Sequence, residues 1–167
     1  MNKDLQLLLQ SENTDQISKG LELAKSKGTR DEIILICKLL EQTNLTSFRN
    51  QIIELLSAIK DKKANTELIE AVTLYKDNNS VVQAILQACW QSQLDFSQNL
   101  ALFTDIFINS NYLTALEAFT LIENIWTDYS FNEEHQSLLI DKIKDEFSTM
   151  DETKLILAKE LILILES

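Results

Sequence analysis

The chain contains no proline and only two glycines, Gly20 and Gly28, among its 167 residues. β-Rich folds and α/β nucleotide-binding folds need these residues for tight turns and phosphate loops. Their scarcity predicts helices throughout, with helix ends formed by Asn, Asp, Ser and Thr from Thr29 onwards. The apolar content of 45% and charged content of 25% are ordinary for a folded chain. We therefore expect one all-helical domain over residues 1–167.

No targeting or membrane segment is recognisable in the sequence. The apolar cluster at residues 5–9 is too short for a signal peptide and lacks a small-residue cleavage site. No window approaches the ~18 apolar residues of a membrane helix. Cys37 and Cys89 lie within apolar helical patterns and form no CxxC motif. These features predict a soluble cytoplasmic protein with reduced core thiols.

An internal repeat of about 35 residues changes the expected architecture from a bundle to a solenoid. One apolar pattern recurs three times, and its members are Ile33-Ile34, Ile36-Cys37, Leu39-Leu40; then Leu68-Ile69, Ala71-Val72, Leu74-Tyr75; then Leu100-Ala101, Phe103-Thr104, Ile106-Phe107. A second pattern with i, i+4, i+7 spacing alternates with it, at Ile17, Leu21, Ala24; Ile52, Leu56, Ile59; Ile85, Cys89, Ser92; Ala118, Ile122, Ile125; and Leu157, Leu161, Ile164. Such spacing places each triplet on one helix face.

Two interleaved helix families predict a repeating antiparallel pair, because neither helix can bury its apolar stripe alone. The predicted first helices span residues 30–42, 66–76, 97–109 and 132–147, and the predicted second helices span 14–26, 47–60, 80–93, 112–128 and 151–165. Residues 3–9 would form the first helix of an incomplete opening repeat. We expect a right-handed α-α superhelix, or α-solenoid, of about five helix pairs.

Helix start signals fall where this division needs them. Capping boxes are predicted at Thr29 to Glu32, Ser130 to Glu133 and Thr149 to Glu152. Simple N-caps are predicted at Asn13, Ser47, Asn65, Ser80 and Asn111.

The period and paired helices over nearly the whole chain resemble HEAT and armadillo repeats. These families favour a proline in the first helix, an aspartate in the turn and an arginine early in the second helix. Here proline is absent, Asp77 occupies only one such turn, and Arg49 is the only arginine in a second helix. Tetratricopeptide repeats rank second, because their small-residue positions and closing proline are missing. The resemblance implies a helical scaffold rather than a particular activity.

The sequence contains no recognisable catalytic, cofactor or metal site. His135, the only histidine, lies in a polar run typical of an exposed helix start, without a second His or Cys at ligand spacing. Adjacent acidic pairs diverge by about 100° around a helix and do not form an acid/base pair. There is no phosphate-binding loop, and a net charge of −11 disfavours nucleic acid. We expect no enzyme activity, no cofactor and no nucleic-acid or membrane binding.

Charge and aromatic content are concentrated in residues 77–141. This stretch holds nine acids, no Lys or Arg, and nine of the twelve aromatic residues. Phe103, Phe107 and Phe119 fall on core positions of the repeat. Trp90, Glu123, Trp126 and Tyr129 do not, and they are the candidate binding residues, with Trp90 expected to be accessible and close to Glu123. In the simpler interpretation of this stretch, the acids keep the protein soluble and the large rings pack around the turn into Phe131. In the functional interpretation, the stretch forms an acidic, aromatic-lined groove for a basic segment of a partner.

The C-terminal helix carries more apolar residues than one neighbour can cover. Leu157, Leu161 and Leu165 belong to a wide arc that should pack on the preceding helices. Ile156 and Leu163 fall on the opposite arc. We predict that they form a homodimer contact or lie under another element; two isolated exposed aliphatic residues are the alternative.

Three functions follow, in order of preference. The first is a non-catalytic protein-protein interaction scaffold that uses the acidic, aromatic-lined surface of residues 77–141 to bind a partner protein with a basic segment. The second is a structural or regulatory subunit that self-associates, and the third is an enzyme without a local motif.

Overall fold

A computed structural model describes residues 2–42 and 46–167 of the chain. Helices make up 79% of the structure, and the described residues contain no strand. The ten α-helices are α1 (Lys3–Leu9), α2 (Thr14–Lys27), α3 (Ile33–Gln42), α4 (Thr46–Ser57), α5 (Ala64–Leu74), α6 (Asn79–Gln91), α7 (Leu100–Asn109), α8 (Tyr112–Asp128), α9 (Glu133–Asp145) and α10 (Glu152–Leu165). The all-helical prediction is confirmed.

The predicted helices all occur, with small differences at their ends. Three short 3₁₀ turns, Arg30–Glu32, Ser97–Asn99 and Phe147–Thr149, account for much of the difference in the first helices. The first two were predicted as the opening turns of α3 and α7. The third follows α9, and only its Phe147 fell within the predicted helix of residues 132–147. Tightening at a helix terminus is common, because terminal amides and carbonyls lack α-helical partners.

The described helices fall into two compact units, Met1–Leu94 (unit 1) and Asp95–Ser167 (unit 2). In unit 1 each consecutive pair of helices packs together, α1 with α2, α3 with α4 and α5 with α6. The first helices also pack in a row, α1 on α3 and α3 on α5, and the second helices form a parallel row, α2 on α4 and α4 on α6. Unit 1 therefore consists of three helix pairs in two layers.

Unit 2 repeats this arrangement with two helix pairs. Helix α7 packs against α8 and α9 against α10, while α7 contacts α9 and α8 contacts α10. Each unit is thus built from the pairs that the repeat predicted. The prediction of a single domain over residues 1–167 stays a prediction.

The repeat positions form the core of both units. Ile52 and Leu56 in unit 1, and Ala118 and Ile122 in unit 2, are fully buried. The third positions Ile59, Ser92 and Ile164 are half-buried, because they lie at or beyond the ends of their helices. Two positions of the first-helix family are exposed: Leu74, the last residue of α5, at 61%, and Ala101. Ile34 and Ile69 are half-buried.

Gly20 allows α1 to lie close against α2. A Cβ atom at this position would stand 3.0 Å from Leu9 Cδ2, 3.1 Å from Leu8 Cβ and 3.2 Å from the Leu9 amide nitrogen. Those distances are shorter than ordinary carbon contacts of about 3.5–4.0 Å. The glycine therefore sets the separation of the first helix pair.

Three of the predicted helix starts are confirmed. Asn13 and Asn111 cap α2 and α8 through their side chains. Thr29 and Glu32 form a capping box at the 3₁₀ turn before α3. Glu32 also accepts a hydrogen bond from the amide of Asn2 at 2.7 Å, which ties the start of α1 to this turn.

The remaining predicted helix starts were wrong by one or two residues. The caps of α6, α9 and α10 are Asn78, Asn132 and Asp151, where Ser80, Ser130 and Thr149 were expected. Asn65 lies inside α5, which follows Lys63 without a side-chain cap. Ser47 lies inside α4, and the cap position of that helix is outside the described residues. Asn, Asp and Ser are caps of similar strength, so the residue types alone did not distinguish neighbouring candidates.

Candidate partner-binding surface

Trp90 lies near the C-terminal end of α6 in unit 1 and is half-buried. Its helix buries Ala84, Ile85 and Cys89, while Gln83 and Gln87 remain partly accessible. Positions 83, 87 and 90 recur at helical spacing, so they share the accessible face of α6. The prediction that Trp90 is partly accessible on a second helix is confirmed. Glu123 belongs to unit 2, and the expected proximity of these two residues stays a prediction.

Glu123 and Trp126 are both half-buried residues of α8, one helical turn apart. The indole of Trp126 stacks on the ring of Phe131, with ring centroids 4.8 Å apart and an interplanar angle of 8°. This stack covers the turn from α8 into α9, as the simpler interpretation of Trp126 expected. One face of the indole is therefore occupied, and Trp126 can offer only its other face or its edge to a partner.

Tyr129 follows α8 directly, and 41% of its surface is exposed. Its backbone amide donates to the carbonyl of Ile125 at 3.1 Å and ends the helix. Its hydroxyl donates to Asp95, a contact that adds to desolvation in raising the pKa of Tyr129. The pKa of Asp95 is lowered, chiefly by hydrogen bonds from Ser97, with Tyr129 contributing. Tyr129 is therefore accessible but oriented by an acidic neighbour.

The remaining aromatic residues divide clearly between core and surface. Phe103, Phe107 and Phe119 are buried, as predicted. Phe96 is also buried and packs edge-on against Phe103, with centroids 6.1 Å apart. Of the aromatic residues in 77–141, those at least partly accessible are Trp90 in unit 1 and Tyr112, Trp126, Tyr129 and Phe131 in unit 2.

Sequence reasoning missed an apolar patch at the start of α8. Tyr112, Leu113 and Leu116, called here the α8 apolar patch, are 39%, 56% and 37% exposed. Positions three and four apart are neighbours on a helix surface, so Leu116 adjoins both of the others. The signal was available, because these positions fall out of phase with the core triplet Ala118, Ile122 and Ile125.

The patch adjoins acidic residues of the same helix, of which only Glu123 shares its side. At 100° per residue, an arc of about 80° on α8 contains five residues on the side opposite the core. They are Leu113, Leu116, Thr120, Glu123 and Thr127, called here the α8 outer face, and each is exposed or half-buried. The charged residues of α8 are Glu117, Glu123 and Asp128, all acidic. The helix therefore presents apolar groups at its N-terminal half and carboxylates towards its C-terminus.

Three of the four lysines in unit 2 contact groups outside α8. Unit 2 has 14 acidic and 4 basic residues, a net charge of −10. Lys142 pairs with Asp105 at 2.7 Å, and Lys144 with Glu166 at 3.8 Å. Lys154 is buried, and its ammonium donates to the carbonyls of Ile108 and Ser110. The fourth lysine, Lys159, is exposed on α10. Unit 2 therefore keeps a large excess of negative charge.

Unit 1 contains an open groove of different character. Its volume is about 1020 Å³, and it lies between the turn from α2 to α3 and the C-terminal end of α4. Its charged lining is balanced, with Lys25, Arg30 and Lys60 against Asp31, Glu54 and Asp61. Since neither sign dominates, the groove does not select a ligand by charge.

The two cysteines are buried, and the one histidine is exposed. Cys37 and Cys89 are free, fully buried thiols, and burial raises both pKa values, that of Cys37 to about 12. His135 is exposed at the start of α9, where its ring contacts Asn132 Oδ1 at 2.7 Å. Across residues 2–42 and 46–167 no group of three His, Cys, Asp or Glu side chains could hold a metal ion.

Helix α10 divides into two faces, as its sequence predicted. Leu157, Leu161 and Leu165 are buried against the rest of unit 2. Ile156 and Leu163 are 55% and 67% exposed on the opposite arc. The prediction that another element of unit 2 covers them is therefore wrong. The predicted contact with a second copy stays a prediction.

Comparison with known proteins identifies no relative: no family model, curated protein or solved structure matches the chain. Within the described residues, no helix combines the length and apolar character needed to cross a membrane. The function is therefore argued from the surfaces described above.

Proposed function

We propose that this chain is a non-catalytic α-solenoid scaffold of the HEAT/armadillo type, which binds a partner protein with a basic segment through the acidic surface of residues 77–141. The solenoid is supported by the two-layer packing inside each unit, where first helices stack on first helices and second helices on second helices. Stacked pairs of this kind offer extended surfaces for macromolecular partners.

The acidic residues of α8, together with its exposed leucines, are the observation that carries the proposal. Glu117, Glu123 and Asp128 lie on a helix without a basic residue, next to exposed leucines. A solubilising charge alone does not require apolar side chains beside it. Interfaces combine apolar anchors with complementary charge, which steers association and selects the partner.

A site-specific cross-linking experiment tests this function. A photoreactive amino acid replaces Glu123 in the full chain, and the matched control carries it at Glu22, an exposed glutamate of α2 in unit 1. We expect a discrete protein to be captured from Glu123 and not from Glu22, and the capture to weaken in ~0.5 M salt, where the Debye length falls well below 8 Å.

The captured protein is then purified and titrated against the unmodified chain. Glu123→Lys should weaken its binding, because it places a cation against the basic segment. Equal labelling from both positions, or binding that Glu123→Lys leaves unchanged, would show that the acidic surface is not the binding site.

Self-association is the second candidate function, favoured by the exposure of Ile156 and Leu163 on α10. Two aliphatic side chains are few compared with the roughly 20–30 residues that each partner contributes to a stable interface. The solution mass of the wild type and of Ile156→Glu/Leu163→Glu decides: a monomeric wild type removes this candidate, and a dimer that survives the double change places the contact elsewhere.

A further inference from the structure

We infer that the α8 outer face and its apolar patch bind a basic amphipathic helix of the partner, with apolar side chains on the patch and Lys or Arg side chains on the carboxylates. The inference rests on the proposed function and specifies the chemistry of the partner. Its anchors are Tyr112, Leu113 and Leu116 instead of the aromatic residues that the sequence singled out.

The apolar half of the face has the composition of a small docking site. Leu113, the most exposed of the three residues at 56%, stands beside Leu116 on the same arc. Thr120 continues the arc without charge, and its hydroxyl is bonded to the carbonyl of Leu116 at 3.1 Å. A partner that covers this stretch would remove apolar surface from water and would leave the Thr120 hydroxyl with its acceptor.

Charge decides the nature of the partner. Glu123 lies at one edge of the arc, whereas Glu117 and Asp128 lie about 40° and 60° beyond the other edge. Asp128 is also near the negative end of the helix dipole. Lys154 is buried in unit 2, and its ammonium donates to the carbonyls of Ile108 and Ser110. A segment with acidic residues would be repelled, whereas Lys or Arg side chains would pair with these carboxylates.

The length of α8 sets the spacing in the partner. Leu116 and Glu123 are seven residues apart, which corresponds to roughly 10 Å along the helix axis. Groups at that separation are about two turns apart on one side of a helix. The geometry therefore favours an amphipathic helix that lies along α8.

Two synthetic peptides of about 14 residues probe this face directly. One has leucine and lysine in helical amphipathic order, and the other has glutamate in place of each lysine. Both are titrated against the isotope-labelled full chain while amide NMR shifts are recorded. We expect the leucine/lysine peptide to shift residues 112–127, with affinity falling as salt rises, and the leucine/glutamate peptide to leave them unchanged.

Variants separate the apolar from the charged contribution. Leu113→Ser/Leu116→Ser should lower the affinity for the leucine/lysine peptide at least ~10-fold, as expected when central anchors are removed. Glu117→Lys/Glu123→Lys should abolish its binding. Leu138→Ser is the matched control, because Leu138 is 60% exposed on α9, and this change should have no effect.

Several results would overturn the inference. The first is equal binding of both peptides, and the second is amide NMR shifts that fall outside α8. The third is an equal loss of peptide affinity in Leu138→Ser. The fourth is a dimer of the chain alone that Leu113→Ser/Leu116→Ser dissociates. Where a variant fails to fold, the amide NMR shifts of the wild type with each peptide still test the inference. If the cross-linking test finds a partner at Glu123 but the peptide does not bind, only this inference is rejected. If the cross-linking test fails, the proposed function itself is rejected.

Discussion

Replacing Glu32 should release α1 from the rest of unit 1. The Glu32 carboxylate is fully buried, and it accepts hydrogen bonds from the Asn2 amide at 2.7 Å and from the Thr29 amide and hydroxyl, each at 2.8 Å. Each hydrogen bond to a charged group contributes about 1.5–3 kcal/mol. The three donors are only partly buried, so water replaces some of this in the variant. We therefore expect Glu32→Ala to lower the free energy of unfolding by about 2–4 kcal/mol.

The pH dependence identifies the carboxylate as the cause. Burial alone would raise the pKa of Glu32, but the hydrogen bonds from Asn2 and Thr29 outweigh it, and the pKa is lowered from 4.5. A carboxyl group with a lowered folded pKa adds stability above its unfolded pKa and loses it as pH falls through the folded value. The difference between wild type and Glu32→Ala should therefore be full near pH 7 and shrink below about pH 4.5.

Urea denaturation at several pH values measures this difference, and hydrogen exchange locates it. Amides of α1 should exchange faster in Glu32→Ala, while those of unit 2 should be unchanged. The control is Glu22→Ala, which removes an exposed ion pair with Lys25 and should cost less than about 1 kcal/mol. A loss in Glu32→Ala no larger than in this control, or one independent of pH, would refute the assigned role of the carboxylate.

Three further changes test other parts of the structure. Gly20→Ala should lower stability by about 1 kcal/mol in urea denaturation, because crowding against Leu9 exceeds the gain in helix propensity; a stabilisation would contradict the close contact. Lys154→Ala should lower the free energy of unfolding by about 2–4 kcal/mol. Lys154→Met should lower it less, because methionine keeps the packed stem and loses only the hydrogen bonds to the carbonyls of Ile108 and Ser110; equal losses would contradict this division. Because burial raises the pKa of Cys37 from 9.0 to about 12, wild-type stability should fall as pH rises from about 9 towards 12, by up to ~1.4 kcal/mol per pH unit for this thiol, and Cys37→Ala should show a shallower fall.

The helices could be read from the sequence because local and tertiary requirements agree along most of the chain. Ile52, Ile85 and Ala118 occupy equivalent positions of successive second helices, and each is buried. Helix starts were less certain, because several polar residues compete for each cap. Asn132 caps α9 in place of Ser130, and Asp151 caps α10 in place of Thr149. Only the second case follows an intrinsic preference, that of Asp over Thr.

The candidate site was only partly accessible to sequence reasoning. Trp126 and Phe131 are five residues apart, so the sequence could suggest that they cover one turn but not that their rings stack. The bond between Glu32 and Asn2 joins residues 30 positions apart and has no local signature. Such contacts depend on the packing of elements that are distant in sequence.

The surface of α8 follows from the same repeat that fixes its core. Once Ala118, Ile122 and Ile125 are assigned to the buried side, the helical period places Leu113, Leu116 and Glu123 on the opposite side. Aromatic residues suggested a binding surface by their size, yet Phe96 and Phe103 are core and Trp126 is stacked. Smaller leucines, out of phase with the core, supply the accessible apolar groups beside the carboxylates. In a helical repeat the phase of a side chain is therefore a better guide to a binding surface than its size.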